Sequence, residues 1–420
     1  MKGNFNYKKS ALIASLGNII EWYDFAIFGY FSPIISHIFF PKSVWIVGLI
    51  KSFLIFTFGY FVRPIGGVIF GYIGDKYGRK IALSISFITM GLATFLMGLL
   101  PGYYRFGIIS VLMLCFLRII QGLSAGGELI GTSTYIYEIV PDRSSGFWTS
   151  LNTTTSIAGV LLGAIVAALS YHFFNSKFLF DYGWRLAFCL GIFLIIPSLF
   201  LIQYLTNENH IRDEKLKCKD HLCSLFKNYH LSITSVILIN ILMSVGFYVV
   251  FLWLPAYLGG EGKTHLSNII GVNSIAISFL IILIPLFGRF SDRVGSIKLA
   301  IIAALLIFSL AYPLFYVFSL ENNFLFFICQ ITFCLILCSI EATMPKIIAQ
   351  QFSAQSRYSG GAIGYNISTS FFGGTAPLLC TLLVAKTHSL VSIGLYIMFC
   401  ALLSIGGYTL ILYNMKKVNI

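Results

Sequence analysis

Apolar runs of twenty or more residues, continuous rather than alternating, recur from Ala11 almost to the C-terminus. A helix needs about twenty residues to cross roughly 30 Å of hydrocarbon, so runs of this length dictate membrane-spanning helices. Transmembrane β-strands would alternate apolar with polar positions, which excludes a barrel. Charge leads to the same place. Only 10% of the 420 residues are Asp, Glu, Lys or Arg, against about 25% in a soluble domain, too few to clothe a surface in water. The expected fold class is an all-α membrane protein.

Turn residues and charges divide the chain into twelve spans, near 11–39, 43–74, 80–100, 106–139, 145–172, 184–205, 231–258, 267–290, 298–319, 323–352, 358–386 and 389–415. The net charge of +13 lies in short clusters between these runs and not in one patch, so it speaks for topology rather than for nucleic acid. Clusters such as Lys76, Arg79 and Lys80, or Arg289, Arg293 and Lys298, fall in alternate loops, at about three times the basic content of the opposite loops. Both termini are therefore expected in the cytoplasm. The stretch after Lys8 and Lys9 is interrupted by Glu21 and Asp24 and reads as a retained first span, not a cleaved signal. The nine cysteines follow no metal or disulfide spacing; Cys218 and Cys223 sit in a basic loop without a matched second pair. No metal, cofactor or enzyme motif is expected.

The longest polar stretch, 206–230, carries the charge run from Glu208 to Asp220 and reads as a solvated linker. It separates an N-terminal six-helix domain, 1–205, from a C-terminal six-helix domain, 231–420. The halves repeat. Gly71, Asp75 and Gly78 are matched by Gly288, Asp292 and Gly295 at the same internal spacing, and Arg143-Ser144-Ser145-Gly146 by Arg357-Tyr358-Ser359-Gly360. Both pairs are offset by about half the chain, the sign of parallel duplicated domains with a substrate site at mid-membrane between them.

Ionisable groups inside spans are costly, so each is a functional candidate. Asn18, Glu21 and Asp24 lie three apart on one face of the first span. Glu21 is roughly 15 Å along it, near the midplane. Arg118 lies at a similar depth in the fourth span, with Gln121 and Glu128 on its side. A carboxylate pair opposite a guanidinium suits proton coupling. Asp24 is the expected carrier, Arg118 its switchable partner and Glu21 a contributor; a static ion-pair network is the alternative. Asn18, Gln121 and Glu128 are expected to meet solute. Arg63-Pro64 with Gly66 and Gly67 reads first as a kink and close-packing site, and second as a solute contact by Arg63. Glu341 either pairs with Lys346, five residues on, or faces the cavity. The seventh span has no charge but offers Phe247, Tyr248, Phe251, Trp253 and Tyr257. Tyr248 and Trp253 are the expected solute contacts of an aromatic wall suited to a quaternary ammonium; ordinary core or lipid-facing packing is the alternative. A dicarboxylate would call for several unpaired basic residues. At the inner surface Gly71, Asp75, Gly78 and Arg79, with Glu138, Asp142, Arg143, Asp292 and Arg357, are expected to form a conformational latch.

Gly71-Tyr72-Ile73-Gly74-Asp75-Lys76-Tyr77-Gly78-Arg79-Lys80 resembles the loop 2–3 signature of the major facilitator superfamily. Gly17-Asn18-Ile19-Ile20-Glu21-Trp22-Tyr23-Asp24-Phe25, Arg63-Pro64-Ile65-Gly66-Gly67, Gln121-Gly122, Gly126-Gly127-Glu128, Gly183-Trp184-Arg185 and Arg357-Tyr358-Ser359 are similar to its metabolite:proton symporter family. The resemblance implies twelve helices in two bundles and alternating access in a bacterial inner membrane, without a cofactor. It also implies a small solute moved with a proton. Members carry proline and glycine betaine, 2-oxoglutarate, citrate or shikimate. Pro141-Asp142-Arg143 with Gly146-Phe147 is most similar to the proline/betaine branch. The Gly-Pro signature of drug antiporters is missing beside Gly159 and Gly163. Proline or betaine symport is thus the expected function, organic-acid symport the alternative, and a non-transporting solute receptor the alternative of another class.

Overall fold

Ten helices among the described residues are long and apolar enough to cross a bilayer. They are α1 (Tyr7–Tyr30), α2 (Trp45–Phe70), α4 (Ile108–Ile139), α5 (Asp142–Phe173), α7 (Leu225–Leu258), α8 (Ile269–Val294), α9 (Ser296–Phe318), α10 (Phe324–Gln350), α11 (Arg357–Thr387) and α12 (Val391–Met415). Between them lie α3 (Arg79–Leu99), apolar over Ile85–Leu99, and α6 (Trp184–Leu190). The computed structural model describes residues 7–77, 79–194, 218–260, 266–320, 322–354 and 356–418.

Local chemistry sets the breaks. α1 turns at Gly17 and again at Phe31, after which Ser32–Phe39 continues as a separate helix with Pro33 in its first turn. α2 breaks at Val62, two residues ahead of Pro64, because proline has no N–H for the carbonyl four residues back, that of Tyr60. α7 and α11 each carry a π-helical segment, Tyr248–Trp253 and Thr369–Gly373. Gly295, the last glycine of the second repeat motif, joins α8 to α9 at φ 101°, a backbone that disfavours any side chain. Asn322 caps α10, its Oδ1 accepting from the amides of Phe324 and Leu325 at 2.9 and 3.1 Å. The helix that contains α7 starts at Cys218 and kinks at Tyr229, so the last part of the expected linker is helical.

Glycines bring α2 and α4 together at backbone distance. A Cβ on Gly122 would sit 1.7 Å from the Gly59 carbonyl oxygen, and one on Gly126 2.3 Å from that of Arg63. Small residues give membrane helices this approach. The N-terminal half meets the C-terminal half along α5 and α8, where a Cβ on Gly288 would reach Ser150 Oγ at 2.3 Å and the Gly146 oxygen at 2.8 Å. α2 meets α11 through Thr57 donating to the Gly374 oxygen (2.9 Å) and Ser370 donating to the Tyr60 oxygen (2.6 Å). The halves also touch at both ends of the bundle. Where α1 begins, Arg357 pairs with Glu138 at 3.0 Å. At the opposite end, Trp45 packs on Tyr257 with ring centroids 5.6 Å apart, and Tyr30 donates to the Phe251 oxygen at 2.8 Å.

Candidate functional site

Two ion pairs lie inside the N-terminal half, each anchored on α1. Glu21 accepts from Arg63 of α2. One turn on, Asp24 stands 3.8 Å from Arg118 of α4. All four residues are 2% exposed or less. The pairs differ in quality. Glu21 is hydrogen-bonded directly, whereas Asp24 faces Arg118 at ion-pair distance without a hydrogen bond. Asp24 is instead held by Thr94 of α3, which donates to it at 2.6 Å. Gln121 completes the ring, donating to Thr94 and accepting from Arg118, both at 2.8 Å. Arg118 lies 3.8 Å from the centroid of the Phe28 ring and leaves Nε and Nη2 without a partner. A guanidinium carries five donors, so Arg118 is well placed by stacking and thinly bonded.

Beside this network, between the halves, is a small cavity. Trp22, Phe247, Tyr248 and Tyr365 give it aromatic faces, Thr153, Ser156 and Ser244 give hydroxyls, and Glu341 gives a carboxylate. Leu129, Ile157 and Met243 complete the wall. Every lining residue is 8% exposed or less, so the cavity is largely screened from bulk water. Trp22 stacks on Tyr248 at 6.1 Å between centroids and meets Phe247 edge-on at 6.3 Å. Tyr248 also links cavity and charges. Its hydroxyl lies 2.7 Å from that of Tyr60, and Arg63 sits over the Tyr60 ring at 5.3 Å.

The Major Facilitator Superfamily profile matches residues 14–377. This chain belongs to the major facilitator superfamily. The transporter is 31% identical over 390 residues to a putative proline/betaine transporter of Staphylococcus aureus (strain MSSA476), spanning 90% of this chain and 83% of the relative. It is 32% identical over 413 residues to the glycine betaine/proline/ectoine/pipecolic acid transporter OusA of Dickeya dadantii (strain 3937), spanning 95% and 82%. Its fold is similar to the crystal structure of a D-xylose–proton symporter, with a TM-score of 0.74 at 18% identity over 96% of this chain and 97% of that one.

The expected site residues of the transporter fall in different places. Glu21, Asp24 and Arg118 come together as a network, but the two acids do not share one arginine: Arg63 takes Glu21. Besides opening the helical segment after the break at Val62, Arg63 is thus a buried counter-ion, a role outside both sequence readings. Of the expected solute contacts only Tyr248 and Glu341 line the cavity. Asn18 donates to Asn152, which in turn donates to Ser133 and the Leu129 oxygen, tying α1, α4 and α5 together. Gln121 belongs to the Arg118 ring, and Glu128 bonds Ser86 on α3. Trp253 donates to Thr381 at 2.8 Å and stacks on Tyr257. The π-segment turns it away from the cavity and toward α11. Phe251 and Tyr257 also lie outside the lining.

At the end where α1 begins, Asp292 of α8 accepts from the amides of Gly146 and Phe147 at 2.8 and 3.1 Å and from Lys346 of α10 at 2.7 Å. A carboxylate on the first amides of α5 is the favoured partner of a helix N-terminus. Lys346 is thereby taken from Glu341. Asp142 and Arg143 are exposed and join no ion pair among the described residues. The first-half latch expectation, on Gly71, Asp75, Gly78 and Arg79, falls outside the described side chains.

Residues that the sequence reading missed are Tyr60, Tyr365, Thr94 and Trp22. Trp22 neighbours Glu21 on a span already singled out, and that adjacency was its signal. Tyr60, Tyr365 and Thr94 are ordinary polar residues in apolar spans, and only their packing distinguishes them.

Proposed function

We propose that this transporter is a proton symporter that imports a small zwitterionic solute, proline or glycine betaine, by alternating access, with both termini cytoplasmic. The observation that carries the reading is near-full-length kinship with relatives named for those solutes, joined to a cavity of aromatic faces and one carboxylate without a basic side chain. A dicarboxylate needs unpaired Arg or Lys, and the two buried arginines of the network already face Glu21 and Asp24.

In this reading Asp24 carries the proton. Protonation cancels its attraction for Arg118, while Thr94 still holds its carboxyl in place. Arg118 is then free to turn toward Gln121 and the ring faces around it. Solute in the cavity touches Tyr248, whose hydroxyl reaches Tyr60 beside Arg63, so occupancy and proton state act on one contiguous set of side chains. Release to the cytoplasm requires Asp292 to leave the α5 amides.

The test is uptake by proteoliposomes under an inward proton gradient, with labelled proline, glycine betaine, 2-oxoglutarate, citrate and shikimate in parallel. Concentrative uptake of proline or betaine, lost on adding a protonophore, is the expected result. Binding without gradient-driven or counterflow uptake replaces symport by the receptor reading. Uptake of an organic acid alone overturns the solute class.

A further inference from the structure

Glu341 is the one cavity-lining ionisable acid or base, apart from the two tyrosines, and among the described residues it has no hydrogen-bond or ion-pair partner. It is 2% exposed. Its sequence neighbour in charge, Lys346, is engaged with Asp292 at 2.7 Å. The other described carboxylates of the bundle interior are each bonded: Glu21 to Arg63, Asp24 to Thr94, and Glu128 to Ser86. Packing alone does not account for a lone carboxylate here. A buried ionised group without a counter-charge is strongly disfavoured, and no α1, α4, α5, α7 or α11 residue that lines the cavity supplies a cation.

The faces around it have the complementary property. Trp22 and Tyr248 are nearly parallel, 17° apart, and Phe247 stands at 87° to Trp22. Tyr365 adds a fourth ring. Aromatic faces attract cations that have shed their water, and do so best when desolvated.

We infer that Glu341 and this ring cluster form the subsite for the positively charged nitrogen of the solute. The inference rests on the proposal that the solute occupies this cavity. The carboxylate neutralises the charge and the rings take the methyl or methylene groups around it. A quaternary nitrogen has no proton to donate, so recognition by charge and ring faces accepts it alongside the secondary ammonium of proline. A solute carrying carboxylates but no cation would set like charge against Glu341. The site thereby selects for positive charge on nitrogen. Proton carriage by Asp24 and cation recognition by Glu341 fall on different halves of the molecule.

The test compares glycine betaine with 3,3-dimethylbutyrate, the isostere in which carbon replaces the quaternary nitrogen, as displacers of labelled betaine and labelled proline from the purified transporter. Wild-type protein is expected to prefer betaine by at least about tenfold. Glu341→Gln is expected to bring that preference close to parity, and Glu341→Asp to keep part of it. Equal displacement by the two compounds on wild-type protein overturns the inference without recourse to any variant. Retention of the full preference by Glu341→Gln does the same. Proline uptake with no charge preference keeps the functional proposal and sinks this one. Binding of choline, in place of proline or betaine and in preference to its carbon isostere, keeps this inference and sinks the named solutes. Binding of 2-oxoglutarate or citrate alone removes both.

Discussion

Asp24 and Glu21 are one helical turn apart and chemically alike, yet their surroundings assign them different work. Glu21 is bonded to Arg63, while Asp24 meets Arg118 only at 3.8 Å. Removing one partner of a buried pair strands the other charge, at a cost of about 3–5 kcal/mol, whereas replacing both by apolar groups is far milder. Arg63→Leu should therefore lower the melting temperature sharply, and adding Glu21→Leu should restore much of it. A double variant no more stable than Arg63→Leu would mean that the pair does not hold the helices. Asp24 carries the opposite expectation. Asp24→Asn keeps the Thr94 contact and the side-chain shape but cannot exchange a proton. It should abolish proton-driven accumulation while counterflow of solute persists. Full accumulation by that variant would remove Asp24 from the coupling role.

Helix geometry decides where these side chains can stand. α2 and α4 approach at backbone distance through Gly59, Gly66, Gly122 and Gly126, and this contact sets Arg63 and Arg118 against the same face of α1. Overpacking such a contact costs about 1–3 kcal/mol. Gly122→Ala should lower thermal stability, while Gly271→Ala, whose Cβ meets nothing within 4 Å, should leave it near wild type. Equal melting temperatures for the two variants would show that α2 and α4 yield easily. The π-segment of α7 works the same way through the backbone. Around it, the Phe251 oxygen accepts from Tyr30 and Asn273, and the Val250 oxygen from Gln330. π-bulges concentrate at functional sites. This one turns Tyr248 to the cavity and Trp253 to Thr381, although both belong to one aromatic run.

Across the whole molecule, the halves touch at both ends, and Asp292 gathers two of those contacts, on the amides of Gly146 and Phe147, while Lys346 of its own half holds its carboxylate. Hydrogen bonds to a charged group are worth about 1.5–3 kcal/mol, so Asp292→Asn should favour opening at that end by about tenfold. The measurement is maleimide labelling of Thr149→Cys, fully buried on α5, in a background cleared of native cysteines. Unchanged labelling would show that Asp292 does not hold the halves together. The all-helical membrane fold, its long apolar spans and the rarity of intramembrane charge were legible in the sequence, because hydropathy and solvation cost act on each segment wherever its neighbours lie. The same logic singled out Glu21, Asp24, Arg118 and Glu341. Partnership was not legible. Helical spacing puts residues on a face but does not say which helix meets that face, so the sequence offers Arg63 as a kink or a solute contact, and Lys346 as a partner of Glu341. Only the packing of α2 against α4, and of α8 against α5 and α10, gave Arg63 to Glu21 and Lys346 to Asp292. That same packing left the carboxylate of Glu341 to the cavity.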